Sequence, residues 1–354
     1  MSLLLEISFI SDTMISFNES NSALTNLMPL SISEDKNIAQ AVALLKAGET
    51  VAFPTETVYG LGADASNPKA IQKIFEIKGR PSNHPLIVHI ADASKLEVWA
   101  DKIPEQAWLL AKKYWPGPLT LILPRKSNVP LEVTGGQETI GLRVPDHPIA
   151  LALLQAFDGG VAAPSANRFG CISPTTAQHV KDGLGAAVGM ILDGGPCRIG
   201  LESTIVSFIN GEICLLRPGG LSLEQIEETL HQKLTKPNAT HKVRAPGMLA
   251  SHYSPKTPLS IIPIENLDTR AKELSSLGLN VAIIRLGETK KSFFKNGVTT
   301  IILPSIAFEY GHQLYATLHQ LDHENYDHLL AEALPSTKEW LAVNDRISRA
   351  AHER

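Results

Sequence analysis

Apolar positions recur along the chain with two periods, and the period changes at Gly and Pro. Ser31-Ile32-Ser33-Glu34 has the spacing of a helix capping box. Ile38, Val42 and Leu45 then fall on one helical face, until Gly48 ends the pattern. Residues 50–53 form a short apolar run that reads as a buried strand. Ser66-Asn67-Pro68 opens a second helix, whose Ile71, Ile74, Phe75 and Lys78 share one side. Residues 86–90 read as strand, Pro104 starts a helix towards Tyr114, and residues 119–123 return to strand. Residues 140–144, 160–163, 190–192, 203–208 and 213–217 are further short apolar runs. Helices are expected after His147, after Ser173-Pro174 and after Ser222. Strands that partly alternate with helices and partly cluster predict an α/β protein with a mixed sheet and flanking helices.

The pattern breaks in residues 234–258. Pro237, Pro246, Pro255 and Pro258 stand there among Asn, Thr, Ser and Gly, with no apolar period. Beyond it, residues 259–263, 279–286 and 298–303 read as parallel strands, with helical patterns between and after them, the last around residues 342–351. That is a smaller, doubly wound, Rossmann-like α/β domain. The expected organisation is a loose extension over residues 1–34, a larger domain over 35–233, a linker over 234–258 and the C-terminal domain over 259–354. A structureless connection longer than ~15 residues usually has a function of its own. Met14 or Met28 is an alternative start. The first 35 residues carry no Lys or Arg, so neither a secretory signal nor a mitochondrial presequence is legible. No run of 18 uncharged apolar residues marks a membrane span.

Composition narrows the class. Of the 354 residues 44% are apolar and 19% charged, which excludes a largely disordered chain. A net charge of −4 argues against a protein that coats nucleic acid through its phosphates, while leaving room for a local basic site. The three cysteines, Cys171, Cys197 and Cys214, form no C-x-x-C pair. Neither a disulfide framework nor a four-thiolate zinc site is expected, and a reducing, cytoplasmic compartment fits.

Four clusters of Gly, Pro and polar residues interrupt the apolar runs. They are Pro54 through Gly62, Lys78-Gly79-Arg80-Pro81, Pro164 through Thr175, and Asp193 through Thr204. Each borders a strand, where loops carry binding groups on a rigid sheet. Lys78 and Arg80 end a helix; they either complement its C-terminus or clamp a phosphate, Arg offering a planar fork and Lys a point charge. Arg143 and Arg217 close apolar strands, as solvated edges or as an anion site. Ser165 and Asn167 suit a nucleotide phosphate or ribose. Ser173 reads equally as an ordinary N-cap with Pro174 at N1 or as an anion contact. The phosphate-binding P-loop, the G-x-G-x-x-G fingerprint, the G-x-S-x-G elbow and the H-E-x-x-H motif are all missing. His312, His319, His323 and His328 match no zinc spacing and read as a solvated helix face.

Taken together, Pro54-Thr55-Glu56-Thr57-Val58-Tyr59-Gly60-Leu61-Gly62, Lys78-Gly79-Arg80-Pro81, the His84 to His89 segment, Trp115 to Thr120 and Gly141 to Pro145 resemble the YrdC-like family. So do Ser165-Ala166-Asn167, Ser173-Pro174-Thr175, Asp193-Gly194-Gly195, Glu202-Ser203-Thr204 and Leu216-Arg217-Pro218-Gly219. The linker from Ala245 to Pro255 and the ending Asn344 to Ala351 are similar to its long, two-domain form, the L-threonylcarbamoyladenylate synthases. The resemblance implies a YrdC-like mixed, twisted sheet. It also implies a reaction of ATP, L-threonine and bicarbonate that yields threonylcarbamoyl-AMP and pyrophosphate for a tRNA modification. By the same resemblance, Thr57, His89, Arg143, Ala163 and Ser203 would line the threonine and carbamate pocket. Lys78, Arg80, His84, Ser165, Asn167, Ser173, Arg217 and Tyr253 would surround ATP, with Lys78 and Arg80 in the catalytic role and Tyr253 on a lid. Mg²⁺ is expected to arrive with ATP rather than in a protein cage. His84 stands where family members often have Asn. The implied partners are tRNA or tRNA-modification proteins that accept the adenylate. The alternative from another class is a non-enzymatic, RNA-binding YrdC-like protein.

Overall fold

A computed structural model describes residues 32–237, 243–247, 253–287, 291–295 and 298–352. The expected extension up to residue 31, with Met14 and Met28, and residues 238–242 and 248–252 of the linker lie outside the described residues.

The chain begins with α1 (Ile32–Lys46), β1 (Val51–Phe53), β2 (Gly60–Asp64), α2 (Pro68–Lys78) and β3 (Ile87–His89). Next come α3 (Leu96–Trp99), α4 (Glu105–Tyr114), β4 (Leu119–Pro124), α5 (Leu131–Thr134), β5 (Thr139–Arg143) and α6 (Pro148–Phe157). Then follow β6 (Val161–Ala162), α7 (Ala177–Leu184), β7 (Met190–Ile191), β8 (Thr204–Ile209), β9 (Glu212–Arg217) and α8 (Leu223–Leu230). The nine strands form one sheet in the order β7-β1-β2-β6-β3-β5-β4-β8-β9. Three parallel pairs (β1 with β7, β3 with β5, β4 with β8) stand among five antiparallel ones, so the sheet is mixed as the pattern predicts.

The helix signals work through their caps. Asn67 accepts from the backbone N–H of Lys69 and Ala70, Gly79 closes α2 at φ 61°, and Ala70, Ile71, Ile74, Phe75 and Lys78 are the buried face. One strand of this sheet escapes the apolar pattern. β2 is written Gly-Leu-Gly-Ala-Asp, and a Cβ at Gly62 would stand 2.8 Å from the Phe53 and Val161 side chains. Small residues let its neighbours close over it, and small residues carry no strand signal.

The second sheet has β10 (Leu259–Ile262), β11 (Val281–Gly287), β12 (Lys291–Lys295), β13 (Val298–Pro304) and β14 (His328–Glu332), in the order β10-β14-β11-β13-β12. All neighbours are parallel except the β12–β13 hairpin. Val281 and Ile283 pack with Leu267, Ala271 and Leu274 of α9 (Ile264–Ser276). Ala282 and Ile284 pack on the other face with Leu314 and Leu318 of α10 (Ala307–His323). Helices on both faces make it doubly wound. The last helix is α11 (Leu341–Ala350). The His cluster is a correction to the sequence reading. His328 lies on β14 and its Nε2 is 2.8 Å from Ser260 Oγ, while the His319 ring on α10 stacks on His179 of α7 at 3.9 Å. Tertiary packing, which helical spacing does not register, engages these two rings, while His323 is exposed as the solvated reading has it.

Part of the seam between the two sheets is apolar. Val58, Ile172 and Leu201 share one hydrophobic cluster with Tyr253, Tyr310, Leu314 and Trp340. The linker is tied at both described ends: the Thr235 N–H donates to Ile213 O at 3.0 Å, and the Ser254 N–H to Gly170 O at 2.9 Å.

Candidate active site

The loop after β1 turns on Thr55. Its hydroxyl donates to Val58 O at 2.6 Å and accepts from the N–H groups of Thr57 and Val58 at 3.2 Å. A hydroxyl satisfying backbone groups in this way stabilises a tight reversal. The turn presents Thr57 to a cavity while returning the chain antiparallel as β2. Thr55, Thr57, Arg80, His89, Arg143, Ala163, Ser165, Glu202, Ser203, Arg217 and Tyr253 line that cavity, closed on one side by Pro246 and Gly247 of the linker.

Three of its walls end in buried guanidinium groups. Arg143 and Arg217 are each 4% exposed, which removes the solvated-edge reading of both. Arg143 pairs with the buried carboxylate of Glu56 at 2.7 Å and donates from Nε to Gly117 O. Arg217 donates from Nε and Nη2 to Ser203 O at 3.1 and 2.9 Å, and from Nη1 to Pro246 O at 3.0 Å. It therefore grips the end of β8 and the linker together. Arg80 donates to Pro85 O at 2.8 Å and stands 5.8 Å from the Phe169 ring, and its Nε has no hydrogen-bond partner among the described residues. Burial lowers its pKa to about 10, so it stays cationic at neutral pH.

Lys78 is placed behind the cavity wall. Its ammonium donates to Ser165 O at 2.5 Å and Asn167 O at 2.6 Å, and so holds the turn that carries both residues. Burial, then the nearby Arg80 charge, pulls its pKa well below the usual lysine range. Asn167 donates to the carbonyls of Arg168 and Cys171. Ser173 is not the N-cap of α7. Thr176 caps that helix, and the Ser173 hydroxyl donates to Glu202 at 2.6 Å. A hydrogen bond to a buried carboxylate is the stronger of the two options. His84 stands apart from the cavity lining, edge-on to Phe169 at 5.3 Å, with its pKa lowered by burial, Arg80 and Arg244.

His89 is buried and its Nδ1 has no hydrogen-bond partner among the described residues. Burial, then Arg143, lowers its pKa to about 3, so the ring is neutral over the physiological range. Ser203 Oγ lies 2.8 Å from Thr120 Oγ1 and 3.1 Å from Arg217 Nη2. Tyr253 is 1% exposed with φ 64°, its ring 5.7 Å from Tyr315. A Cβ at Gly247 would come within 2.2 Å of its hydroxyl, so the linker can pass there only as glycine.

Four residues of this constellation were not foreseen as site residues: Glu56, Glu202, Tyr315 and Arg346. The two carboxylates lie inside the polar clusters, but nothing local predicts a carboxylate among convergent cations. Arg346 lies on α11, inside the Asn344 to Ala351 ending that resembles the long form but was given no role there; it is fully buried, and its Nε donates to Glu202 Oε2 at 2.6 Å. Burial pushes the Glu202 carboxyl up, but Arg346 and Arg217 outweigh it and hold it at about 2.

Residues 43–219 match the Sua5/YciO/YrdC family model described as "Telomere recombination", and residues 221–352 match the model of the threonylcarbamoyl-AMP synthase C-terminal domain. The chain is 43% identical to a threonylcarbamoyl-AMP synthase of Bacillus subtilis (strain 168), over 90% of this chain and 94% of that one. It is 39% identical to a protein of the same name from Pyrococcus abyssi, over 90% and 95%. Among solved structures it resembles P. abyssi Sua5 complexed with L-threonine, with a TM-score of 0.83, 38% identity, and coverage of 91% of this chain and 96% of that one.

Proposed function

The chain belongs to the Sua5/YciO/YrdC family, and from that premise we propose that it is a threonylcarbamoyl-AMP synthase, converting ATP, L-threonine and bicarbonate to threonylcarbamoyl-AMP and pyrophosphate. The observation that carries the reading is the convergence of buried Arg80, Arg143 and Arg217 on one cavity that also presents Thr57, His89 and Ser203. In the first step the neutral threonine amine attacks the carbon of CO₂ or bicarbonate to give a carbamate, its nitrogen shedding a proton to solvent or to the hydroxide that leaves bicarbonate, which departs as water. A carbamate oxygen then attacks the α-phosphorus of ATP, and the bond to the β-phosphate breaks with its electron pair leaving on pyrophosphate. Both steps gather negative charge and neither needs a covalent nucleophile, so positioning and electrostatic clamping supply the catalysis.

We assign Thr57, His89, Arg143, Ala163 and Ser203 to threonine and the carbamate, and Lys78, Arg80, Ser165, Asn167, Ser173, Arg217 and Tyr253 to ATP, with His84 at the rim. Arg80 and Arg217 offer forks to phosphate oxygens. Lys78 acts on the turn that carries Ser165 and Asn167. Neutral His89 offers a hydrogen bond without adding a charge. Mg²⁺ enters as part of the Mg·ATP substrate, held mainly by its phosphates. The linker, with Tyr253 against the cavity, acts as a lid that keeps water from the adenylate. A cytoplasmic location and delivery of the product to tRNA-modification partners belong to the same reading. The test is pyrophosphate release from ATP with threonine and bicarbonate omitted in turn. Release that needs both, with a product of threonylcarbamoyl-AMP mass, supports it. Release with neither means plain ATP hydrolysis, and RNA binding without any release points to a binding protein.

A further inference from the structure

A buried carboxylate in a cavity built for anions is an electrostatic contradiction. Glu202 lines the same cavity as Arg80 and Arg217 and is 6% exposed. Left alone, it would repel the phosphates of a nucleotide or draw the Arg217 fork onto itself. The C-terminal part of the chain supplies what resolves this. Arg346 of α11, 0% exposed, pairs with Glu202 Oε2 at 2.6 Å and donates from Nη2 to Pro218 O at 3.0 Å. Its guanidinium carbon stands 5.3 Å from the Tyr253 ring. Tyr315 of α10 donates to Glu202 Oε2 at 3.1 Å, and Ser173 to Oε1 at 2.6 Å. Arg346 is also paired with Asp345, which Arg349 holds from the far side at 2.8 Å.

We propose that Arg346 is a positioning residue of the nucleotide site: by neutralising Glu202 from the C-terminal part of the chain, it leaves Arg217 on the Ser203 and Pro246 carbonyls at the cavity rather than drawn onto Glu202, and Tyr253 seated over the cavity. The inference rests on the reading of the cavity as an ATP site. It gives the C-terminal part a defined electrostatic task. The groups facing Glu202 are Ser173, Arg217, Tyr253, Tyr315 and Arg346, with Asp345 behind Arg346. Of these, only the arginines compensate its charge.

The experiment is equilibrium titration of the full chain with Mg·ATP, alongside threonine-dependent pyrophosphate release and thermal unfolding of each variant. Arg346→Gln leaves Glu202 charged and uncompensated, and ATP affinity should fall on the order of 100-fold. In that variant the affinity should recover as pH falls from 7.5 to 5.5 and Glu202 takes up a proton, whereas the wild type should show no such recovery. Adding Glu202→Gln to Arg346→Gln removes the stranded charge and should return the affinity to within about tenfold of wild type, since a neutral network of similar volume is often tolerated. Rescue of this sign is not expected if Arg346 merely packs. The double variant also covers the case in which Arg346→Gln alone does not fold. A double variant that fails to fold, or binds ATP as weakly as Arg346→Gln, would overturn the proposal. Wild-type protein that binds ATP without releasing pyrophosphate would refute the synthase reading while leaving the affinities to judge Arg346. Wild-type protein that does not bind ATP would overturn both.

Discussion

Replacing Gly219 by Ala tests how tightly the site is bound to its scaffold. Gly219 follows Arg217 and Pro218 and passes over the start of β8. A Cβ there would lie 2.3 Å from Glu202 O, 2.4 Å from Ser203 C and 2.5 Å from Thr204 N. All three are backbone atoms, so no side chain can swing aside. Ordinary contact begins near 3.4 Å, and the two segments would have to part by roughly 1 Å. They are locked together: Thr204 Oγ1 donates to Leu221 O at 2.6 Å and accepts from its N–H at 3.0 Å, and the Gly220 N–H donates to Glu202 O at 3.1 Å. Overpacking of this kind typically costs about 1–3 kcal/mol of stability. The displaced residues are Glu202 and Ser203 themselves, and a misplacement of ~1 Å near reacting groups can cost ~10²-fold in rate. The assay pairs urea unfolding with kcat/KM from pyrophosphate release. Gly183→Ala is the control, because it lies in α7 with nothing within 4 Å of its would-be Cβ. That change should stabilise by up to about 0.5–1 kcal/mol and leave turnover alone. Gly219→Ala with a wild-type urea midpoint and kcat/KM within about threefold of wild type would refute the packing argument.

Three further outcomes are expected. Arg80→Ala should raise the barrier by ~2.7–4 kcal/mol while unfolding stays cooperative, and near-normal turnover would remove Arg80 from the site. The neutral histidines make stability pH-dependent: burial, chiefly, lowers His89 to about 3 and His179 to about 4, and also lowers His319. Because their folded values lie below the unfolded value of ~6.5, their contribution is complete above that pH and is lost progressively as pH falls from there towards the folded values of about 4 and about 3. The Tm should therefore drop between pH 7 and 4.5, and less steeply in His179→Gln; a flat Tm over that window contradicts the assignment. Thr176→Ala should cost ~1 kcal/mol of stability without changing kcat/KM, because Thr176 caps α7, whereas Ser173→Ala should raise the KM for ATP through its bond to Glu202. Equal effects of the two on stability and on KM would undo that division of roles.

Much of the fold was legible because its signals are local. The Asn67 cap, the Gly79 stop and the buried Ile71, Ile74, Phe75 and Lys78 of α2 need only neighbours a turn away, and all appear where the spacing puts them. Most of the cavity's residues were legible too, since loops beside strands concentrate Thr, Ser, Gly and Arg. β2, β12, β14 and the cap of α7 were not. Gly60-Leu61-Gly62 becomes a strand because Phe53 and Val161 close over it, and Ser173 leaves the helix to a later cap because a carboxylate 29 residues away accepts its hydrogen bond.

The amino-acid sequence by itself determined the mixed sheet, the position of the proline-rich linker and the polar clusters beside strands from which many of the cavity's residues come. It did so because periodicity, capping and turn chemistry act over a few residues. Tertiary structure alone decided the charge state of that cavity. Glu56 answers Arg143, and Glu202 answers Arg346 from 144 residues further along the chain. Coulomb energy in a buried site depends on distance and dielectric rather than on chain separation, so only the closed fold brings those pairs within 3 Å.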